Sequence, residues 1–178
     1  VLTLKIFRWS TGSYLECQDF WRISGIERDV FLYSQPKASV QDFRIVSTLD
    51  DSYRNGIFRL DMELKNHRTN TAGLSIGYEL LDNNGKVVAN GEETVDVLAG
   101  KEGTVSFSKE LPEVKTWTSE APNLYKLLMT VKENGKVTEV IPYHVGFRRI
   151  EIKEIDQKGT NGKNYHVLFI NGQPLKLK

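Results

Sequence analysis

The stretch Arg59–Lys65 reads RLDMELK, with leucine or methionine at every second position and charged residues between them. Successive side chains of a β-strand point to opposite faces, so this stretch predicts a strand with one face in a core and one in water. The same alternation recurs at Leu74–Leu81 and Tyr125–Lys132, whereas the spacing of an amphipathic helix is nearly missing. The alternation therefore predicts an all-β chain.

Turn residues separate the alternating stretches at regular intervals. Asp82–Gly85 reads DNNG, and Asn134 is followed by Gly135; both residue types tolerate the positive φ that tight hairpin turns require. Seven strands are predicted: Asp42–Leu49, Ile57–Lys65, Leu74–Leu81, Val87–Glu93, Thr104–Ser108, Tyr125–Glu133 and Val137–Val145. Seven strands at this spacing favour an immunoglobulin-like antiparallel β-sandwich. Without paired cysteines, its core must depend on apolar packing alone.

The two ends of the chain do not fit inside that sandwich. We therefore divide the chain into residues 1–35, 36–146 and 147–178, with Pro36 marking the first boundary because proline cannot donate to a ladder. At the N-terminal end, Leu2, Leu4 and Ile6 alternate along one predicted strand, and Arg28–Leu32 fits another.

The C-terminal end predicts further appended strands. This end contains Ile150, Ile152 and Ile155, Tyr165–Ile170 fits a strand, and Leu175–Leu177 fits another after the Asn171-Gly172 turn. The chain opens without methionine and stops within a predicted strand, as expected of a piece cut from a longer chain. Appended strands expose backbone donors and acceptors unless they find a partner in the same chain, in each other or in another molecule. We expect pairing between molecules, and hence a homo-oligomer.

Composition excludes several function classes. The chain has 178 residues, enough for one full domain with appended pieces, and 24 Lys and Arg against 23 Asp and Glu give a net charge of +1. That balance argues against a nucleic-acid or anionic-membrane surface, so we expect neither partner. The longest apolar run is Val167–Ile170, far too short to span a bilayer.

Motifs for catalysis and metal binding are equally scarce. Cys17 is the single cysteine, so an intrachain disulfide and a cysteine zinc site are excluded; its thiol is either reactive or a small, partly buried filler. His67, His144 and His166 lie far apart and form no HExxH pair. P-loop and GxGxxG motifs are absent, and the residues alone show no complete catalytic apparatus.

The stretch Trp9–Leu32 carries an unusual mixture of aromatic and charged residues. One interpretation is a loop anchored by aromatics, in which Arg22 and Arg28 pair with Asp19 or Asp29. The other is a surface for a polyol, since aromatic rings cover sugar C–H faces while a carboxylate accepts hydroxyl hydrogen bonds.

This stretch closely resembles the end of the sugar-binding domain of family 2 glycoside hydrolases, and its first part resembles the β-galactosidase branch. The family signature Gln-Asp-x-Trp-Arg-x-x-Gly-Ile-x-Arg-Asp-Val is matched by Gln18, Asp19, Trp21, Arg22, Gly25, Ile26, Arg28, Asp29 and Val30. Two later stretches agree: Trp117–Tyr125 resembles Trp-x-x-Glu-x-Pro-x-Leu-Tyr, and Val145–Arg148 followed by Asn171–Pro174 resembles the approach to the catalytic barrel. Cys17 departs from the branch, which usually has aspartate there.

The resemblance implies a parent enzyme with a jelly-roll sugar-binding domain, an immunoglobulin-like domain and a TIM barrel. Such enzymes are retaining, and both catalytic carboxylates lie on the barrel, so no catalytic residue is assigned here. Asp19 is carried over as a substrate-binding residue and as one ligand of a sodium ion. The resemblance implies Na⁺ and Mg²⁺ for the parent and no cofactor for this stretch alone.

These patterns favour a non-catalytic fragment of a β-galactosidase, in which the sandwich supports the flanking domains. The alternatives are an autonomous carbohydrate-binding module, a β-glucuronidase-type family 2 fragment, and an adhesion or receptor sandwich. A binding module would need a row of exposed aromatics, but the alternation places Tyr78 and Tyr125 inward. The compartment, cytoplasmic or periplasmic, stays open.

Overall fold

A computed structural model describes residues 1–8, 10–15, 25–159 and 162–175 of the chain. They fall into two compact units, Val1–Ser34 and Gln35–Lys178. The elements are α1 (Gly12–Leu15), β1 (Ala38–Leu49), β2 (Gly56–Asn66), β3 (Ala72–Leu81), β4 (Val87–Val97), β5 (Glu102–Leu111), β6 (Tyr125–Glu133), β7 (Lys136–Val145), β8 (Ile150–Lys158), β9 (Asn164–Ile170) and β10 (Gln173–Pro174). None of the helices in this described part is long and apolar enough to cross a membrane.

Strands β1 to β7 form the sandwich, which confirms the predicted fold class. One sheet has the order β1-β2-β5 and the other β4-β3-β6-β7, with every neighbouring pair antiparallel. A constant-type immunoglobulin domain places its fourth strand beside the fifth, whereas here β4 pairs with β3. Each predicted strand matches one observed strand, and the observed strands extend up to four residues further at their ends.

The core lies between the two sheets and consists of the alternating apolar residues. Leu60, Met62 and Leu64 of β2 are fully buried, and the charged residues between them face outward or lie half-buried. Tyr78 and Tyr125 are also buried, as the alternation predicted. The buried core residues run from Ala38 to Phe147, and all of them except Phe147, which follows β7, lie on strands β1 to β7.

Both predicted hairpin turns form for the expected reason. Asn134 and Gly135 have φ values of 50° and 75°, the pair of positive values that a two-residue hairpin turn requires. In the other turn Gly85 has a φ of 78°, and the Asp82 carboxylate accepts hydrogen bonds from the backbone amides of Asn84 and Lys86 at 2.8 and 2.9 Å.

The strands predicted near the N-terminus do not form. Among the described residues of Val1–Ser34 the regular element is the one-turn helix α1, and both Leu2–Ile6 and Arg28–Leu32 lie outside any strand. Leu2, Leu4 and Ile6 are 69, 56 and 51% exposed. A strand needs a hydrogen-bonded neighbour, and the described residues of this unit provide none, so alternation alone does not produce a strand here.

The C-terminal strands form a separate small sheet of order β10-β9-β8. They pair with one another within the chain, whereas the sequence analysis considered the sandwich, the N-terminal end and a second molecule as their partners. Tyr165–Ile170 is confirmed as part of β9, while the last short strand covers Gln173–Pro174 rather than starting at Leu175. Residues 176–178 lie outside the described residues.

Candidate functional site

The residue that the sequence singled out lies outside the described residues. Asp19, together with Cys17 and Arg22 of the same stretch, falls in residues 16–24, for which no geometry is given. Arg28 and Asp29 of the same motif are described, and both are exposed. Within the described ranges, no group of three or more His, Cys, Asp or Glu side chains could hold a metal ion.

The most elaborate polar arrangement lies where the sandwich meets the C-terminal sheet. It begins in the loop Asp50–Asn55 between β1 and β2. The Asp50 carboxylate accepts hydrogen bonds from the Ser52 hydroxyl at 2.8 Å, from the Asn55 side chain at 2.8 Å and from the Arg54 amide at 3.2 Å. These bonds, led by that of Ser52, lower the pKa of Asp50 from its ordinary 3.8 to about 2. The loop is therefore folded around a charged carboxylate.

That folded loop holds Tyr53 against the C-terminal sheet. Tyr53 has a φ of 58°, a left-handed conformation that is uncommon for a residue with a side chain. Its hydroxyl donates to the Glu151 carboxylate at 2.8 Å and accepts from the Lys153 ammonium at 2.5 Å. A Cβ at position 172 would lie 2.8 Å from the Tyr53 ring, so the close approach of the β9–β10 turn requires glycine there.

Charged residues of β8 surround the same tyrosine. The Lys153 ammonium lies 5.2 Å from the centre of the Tyr53 ring, and the Arg149 guanidinium lies 5.5 Å from it. Arg149 also pairs with Asp51 at 2.7 Å and with Glu151 at 2.9 Å.

The pKa shifts follow from these contacts. The hydrogen bond from Tyr53 lowers the pKa of Glu151, and Lys153 and Arg149 lower it further. The pKa of Lys153 is raised, first by its bond to Tyr53 and then by Glu151. Each charged form is therefore favoured by a partner, which is the behaviour of a structural ion network rather than of a general acid or base poised near neutral pH.

A second attachment joins the sheet to the segment between β5 and β6. The Asn171 side chain donates to the Trp117 carbonyl at 3.0 Å and accepts from the Arg149 amide at 2.9 Å. The Trp117 amide in turn donates to the Phe147 carbonyl at 2.8 Å. The Arg148 guanidinium covers the Trp117 ring at 4.7 Å.

The two attachments bring together two of the three stretches that carried the resemblance. Trp117–Tyr125 meets Val145–Arg148 and the Asn171–Pro174 turn, although 19 and 22 residues separate the successive segments in sequence. The sequence analysis did not identify Tyr53 or the Asp50-Asp51 pair as part of a site. A signal was present, because an Asp-Asp-Ser run before Tyr53 is typical of a side-chain-stabilised turn.

Comparisons with known proteins agree on one family. The model of glycosyl hydrolases family 2 matches residues 38–148, and the model of the sugar binding domain of that family matches residues 1–36. The chain is 40% identical over 176 residues to a β-galactosidase of Halalkalibacterium halodurans and 41% identical over 157 residues to one of Streptococcus thermophilus. It covers 93 and 86% of itself in these matches, but only 17 and 14% of the relatives.

Solved structures show the same fold at lower identity. A structure of Bacteroides uniformis β-glucuronidase 2 superimposes with a TM-score of 0.77 at 20% identity, covering 91% of this chain and 19% of that one. Across eight curated relatives that it matches, the chain spans 14 to 26% of their length.

Proposed function

The chain belongs to glycosyl hydrolase family 2, and on that premise we propose that it is a non-catalytic part of a retaining β-galactosidase acting on terminal β-D-galactosides. Its curated relatives at 32 to 41% identity over nearly the whole chain carry the name β-galactosidase, which supports this substrate class. In this proposal residues 1–35 end the sugar-binding domain, 36–146 form the supporting sandwich, and 147–178 lead into the catalytic barrel.

The paired attachment of the C-terminal sheet carries the proposal. A sandwich that only occupied space would need no fixed contact with the next segment. Here Tyr53 and Trp117, from two different loops, hold the sheet through its side chains and its turn. Two separated attachments restrict both the tilt and the rotation of the C-terminal sheet against the sandwich. The sandwich therefore orients the segment that continues from β10.

Asp19 is proposed to contact the sugar and to supply one oxygen ligand of a sodium ion in the whole enzyme, which also uses Mg²⁺. A carboxylate oxygen suits a hard cation. A single carboxylate does not hold a monovalent ion, and within the described residues no group of three or more His, Cys, Asp or Glu side chains could hold one. The remaining ligands would therefore come from the catalytic domain, so the isolated chain is expected to bind neither ion.

A carbohydrate-binding module is less well supported. Such modules present a row of exposed aromatic rings, and among the described sandwich residues Tyr143 is the one exposed aromatic side chain. Its ring is in edge contact with Phe43, with centroids 5.4 Å apart. A single exposed ring packed against a second ring is not the row of exposed aromatic rings that such a module uses to bind sugars.

The test is an activity assay of the whole enzyme on aryl β-galactosides and aryl β-glucuronides, beside the isolated 178-residue chain. We expect turnover of galactosides by the enzyme and none by the chain. Preferred turnover of glucuronides would replace the proposed substrate class. Turnover by the purified chain, abolished by one substitution within it, would overturn the non-catalytic role.

Asp19→Asn in the whole enzyme tests the sugar and sodium contacts. The neutral amide loses the charge that attracts the ion, so we expect a higher KM and a weaker response to sodium. Asp29→Asn, in the same motif and exposed in the structure, is the matched control. Unchanged kinetics and unchanged sodium response in Asp19→Asn would leave Asp19 as a salt-bridge residue.

A further inference from the structure

Six asparagines of the chain are each followed by glycine, the sequence in which an asparagine side chain reacts most readily with the backbone. They are Asn55, Asn84, Asn90, Asn134, Asn161 and Asn171. The glycine nitrogen loses its proton and attacks the side-chain carbonyl carbon of the asparagine, because glycine has no Cβ to obstruct the approach. A succinimide ring forms as the side-chain nitrogen leaves as ammonia, and water then opens the ring to aspartate or isoaspartate. The local structure decides which pairs can follow this route.

Two of these asparagines have side chains that are held at both ends. The Asn55 side-chain amide donates to the Asp50 carboxylate at 2.8 Å, and its oxygen accepts from the Glu113 amide at 3.1 Å. The Asn171 side chain is held in the same way, by the donated and accepted bonds of the second attachment. Attack requires the side chain to turn onto the following nitrogen, which would break two hydrogen bonds in each case.

Two further pairs engage the glycine nitrogen itself. The Gly85 amide donates to the Asp82 carbonyl at 2.9 Å, and the Gly162 amide donates to the Gly159 carbonyl at 3.0 Å. Such a bond keeps the proton on the nitrogen that would have to lose it, and it also fixes the orientation of the peptide. Asn161 lies outside the described residues, so the constraint on that pair rests on the glycine alone.

The Asn90-Gly91 pair is held by the sheet. Both residues lie inside β4 and are paired with Glu79 and Tyr78 of β3. A Cβ at position 91 would lie 2.8 Å from the Tyr78 ring, so the strand is closely packed at this point. Ring closure requires rotation of the peptide between the two residues, and a paired and packed strand resists that rotation.

The Asn134-Gly135 pair has none of these constraints. Both residues are exposed at the tip of the β6–β7 hairpin, and the ladder ends at the pair Glu133 and Lys136. Within the part of the chain that the structure describes, neither the Asn134 side chain nor the Gly135 amide makes a hydrogen bond. The Gly135 nitrogen can therefore lose its proton to solvent, and the asparagine side chain can turn toward it without breaking a bond.

We propose that Asn134 is a modification site, which deamidates spontaneously through the Gly135 nitrogen ahead of the other five Asn-Gly pairs. This proposal is independent of the proposed function. Either product adds a carboxylate next to Glu133, whose own carboxylate pairs with Arg68 at 2.8 Å. Isoaspartate also lengthens the main chain of the turn by one atom, because the chain then runs through the former side chain. The reaction therefore changes both the charge and the length of the β6–β7 turn.

The test follows the folded 178-residue chain in mildly alkaline buffer by peptide mapping with mass spectrometry, which measures conversion at each of the six positions. We expect Asn134 to convert about fivefold faster than Asn84, because the Gly85 amide must first give up its hydrogen bond. The other four asparagines should also convert more slowly than Asn134. Equal or faster conversion at any of the five, or no conversion at Asn134, would overturn the proposal.

Unfolding separates the effect of the structure from that of the neighbouring residues. Urea removes the hydrogen bonds that hold the other pairs, so the lead of Asn134 over Asn84 should disappear in the unfolded chain. A lead that persists unchanged in urea would assign the preference to local sequence and overturn the proposal. Asn134→Gln should suppress conversion at that position, because the longer side chain closes a less favoured six-membered ring. Asn84→Gln, in the other hairpin turn, is the matched control and should leave the conversion of Asn134 unchanged; a slower Asn134 in that variant would contradict the assignment.

Discussion

The sandwich and the C-terminal sheet both have strands with alternating apolar residues. In the sandwich those residues are buried, and in the C-terminal sheet they are exposed. In β2 the alternating residues Leu60 and Met62 are fully buried, whereas in β8 the alternating residues Ile150 and Ile152 are more than half exposed. Both strands are antiparallel and regular over these positions. The pleat therefore selects which residues share a face, but burial of that face depends on a second layer opposite it.

The polar contacts of the two regions differ in the same way. Asn66 at the end of β2 is fully buried, and its amide donates to the carbonyls of Asn70 and Val97 while its oxygen accepts from the Arg68 amide. The C-terminal sheet is attached through partly exposed groups around Tyr53. Stability should therefore be concentrated in the sandwich, with the sheet opening at lower cost.

The largest expected effect comes from emptying the core of the sandwich. Leu60→Ala should destabilise the chain by about 2–5 kcal/mol, because it removes buried methyl groups and leaves a cavity. Leu168→Ala, on the exposed face of the C-terminal sheet, should cost less than about 1 kcal/mol. Urea unfolding of both variants measures this difference. Equal losses would contradict the contrast between the two regions.

Loss of the buried amide should have the next largest effect. Asn66→Ala leaves buried carbonyls without donors, so we expect a loss of about 1–3 kcal/mol. Asn164→Ala is the matched control, since the Asn164 amide donates to the exposed Glu154 carboxylate of the C-terminal sheet. That variant should stay within about 0.5 kcal/mol of the parent chain. The contrast fails if the two free energies of unfolding are the same.

Tyr53→Phe should act on the C-terminal sheet alone. It removes the hydroxyl that bridges Glu151 and Lys153 and keeps the ring that packs on Gly172. Amide hydrogen exchange of β8 and β9 should rise about tenfold, with exchange in β2 and β6 unchanged. Tyr165→Phe, in the same sheet, is the control. Faster exchange throughout the sandwich would show that Tyr53 supports the whole fold.

The smallest expected effect is an acid-dependent loosening of the attachment. The pKa of Asp50 is lowered in the folded chain to about 2, against an unfolded value of about 3.9. Because the folded pKa is the lower one, the stabilisation is complete above the unfolded pKa and is lost as pH falls through the folded pKa. The amide shift of Gly172, which lies on the Tyr53 ring, should therefore change as pH falls through about 2, the folded pKa of Asp50.

Two variants check that assignment by nuclear magnetic resonance. Asp50→Asn should remove this acid transition, since the amide does not titrate there. Ser52→Ala should move its midpoint to higher pH, because the Ser52 hydroxyl is the strongest of the bonds that lower the pKa of Asp50. An unchanged midpoint in Ser52→Ala would assign the transition to another carboxylate.

Much of the sandwich was predictable from local chemistry. Alternation placed Leu60, Tyr78 and Tyr125 inward, and the Asn134-Gly135 pair predicted a hairpin, because strand pleat and turn dihedrals are properties of a few neighbouring residues. The Asp82–Gly85 turn likewise predicted the pairing of β4 with β3. The division of the seven strands between two sheets was not predictable in this way, because it depends on contacts between distant strands. The strands expected at Leu2–Ile6 and Arg28–Leu32 failed because alternation says nothing about whether a partner strand is available.

One part of the candidate site could be recognised from the sequence and the other could not. The motif around Asp19 could be recognised from residue order alone, and its contacts stay a prediction because they fall in residues 16–24, outside those described. The attachment around Tyr53 was not recognised. Glu151 and Gly172 lie 98 and 119 residues from Tyr53 in the sequence and meet it only after folding, so no local pattern connects them.

The sequence by itself determined the seven strands of the sandwich, which residues share a face of each strand, and the two hairpin turns, because each depends on dihedral preferences and on side-chain alternation over a few residues. Only the tertiary structure decided which faces became a core and which loop residue holds the C-terminal sheet. Those outcomes depend on distant parts of the chain meeting. Burial and hydrogen bonding between such parts are set by the packing of whole layers.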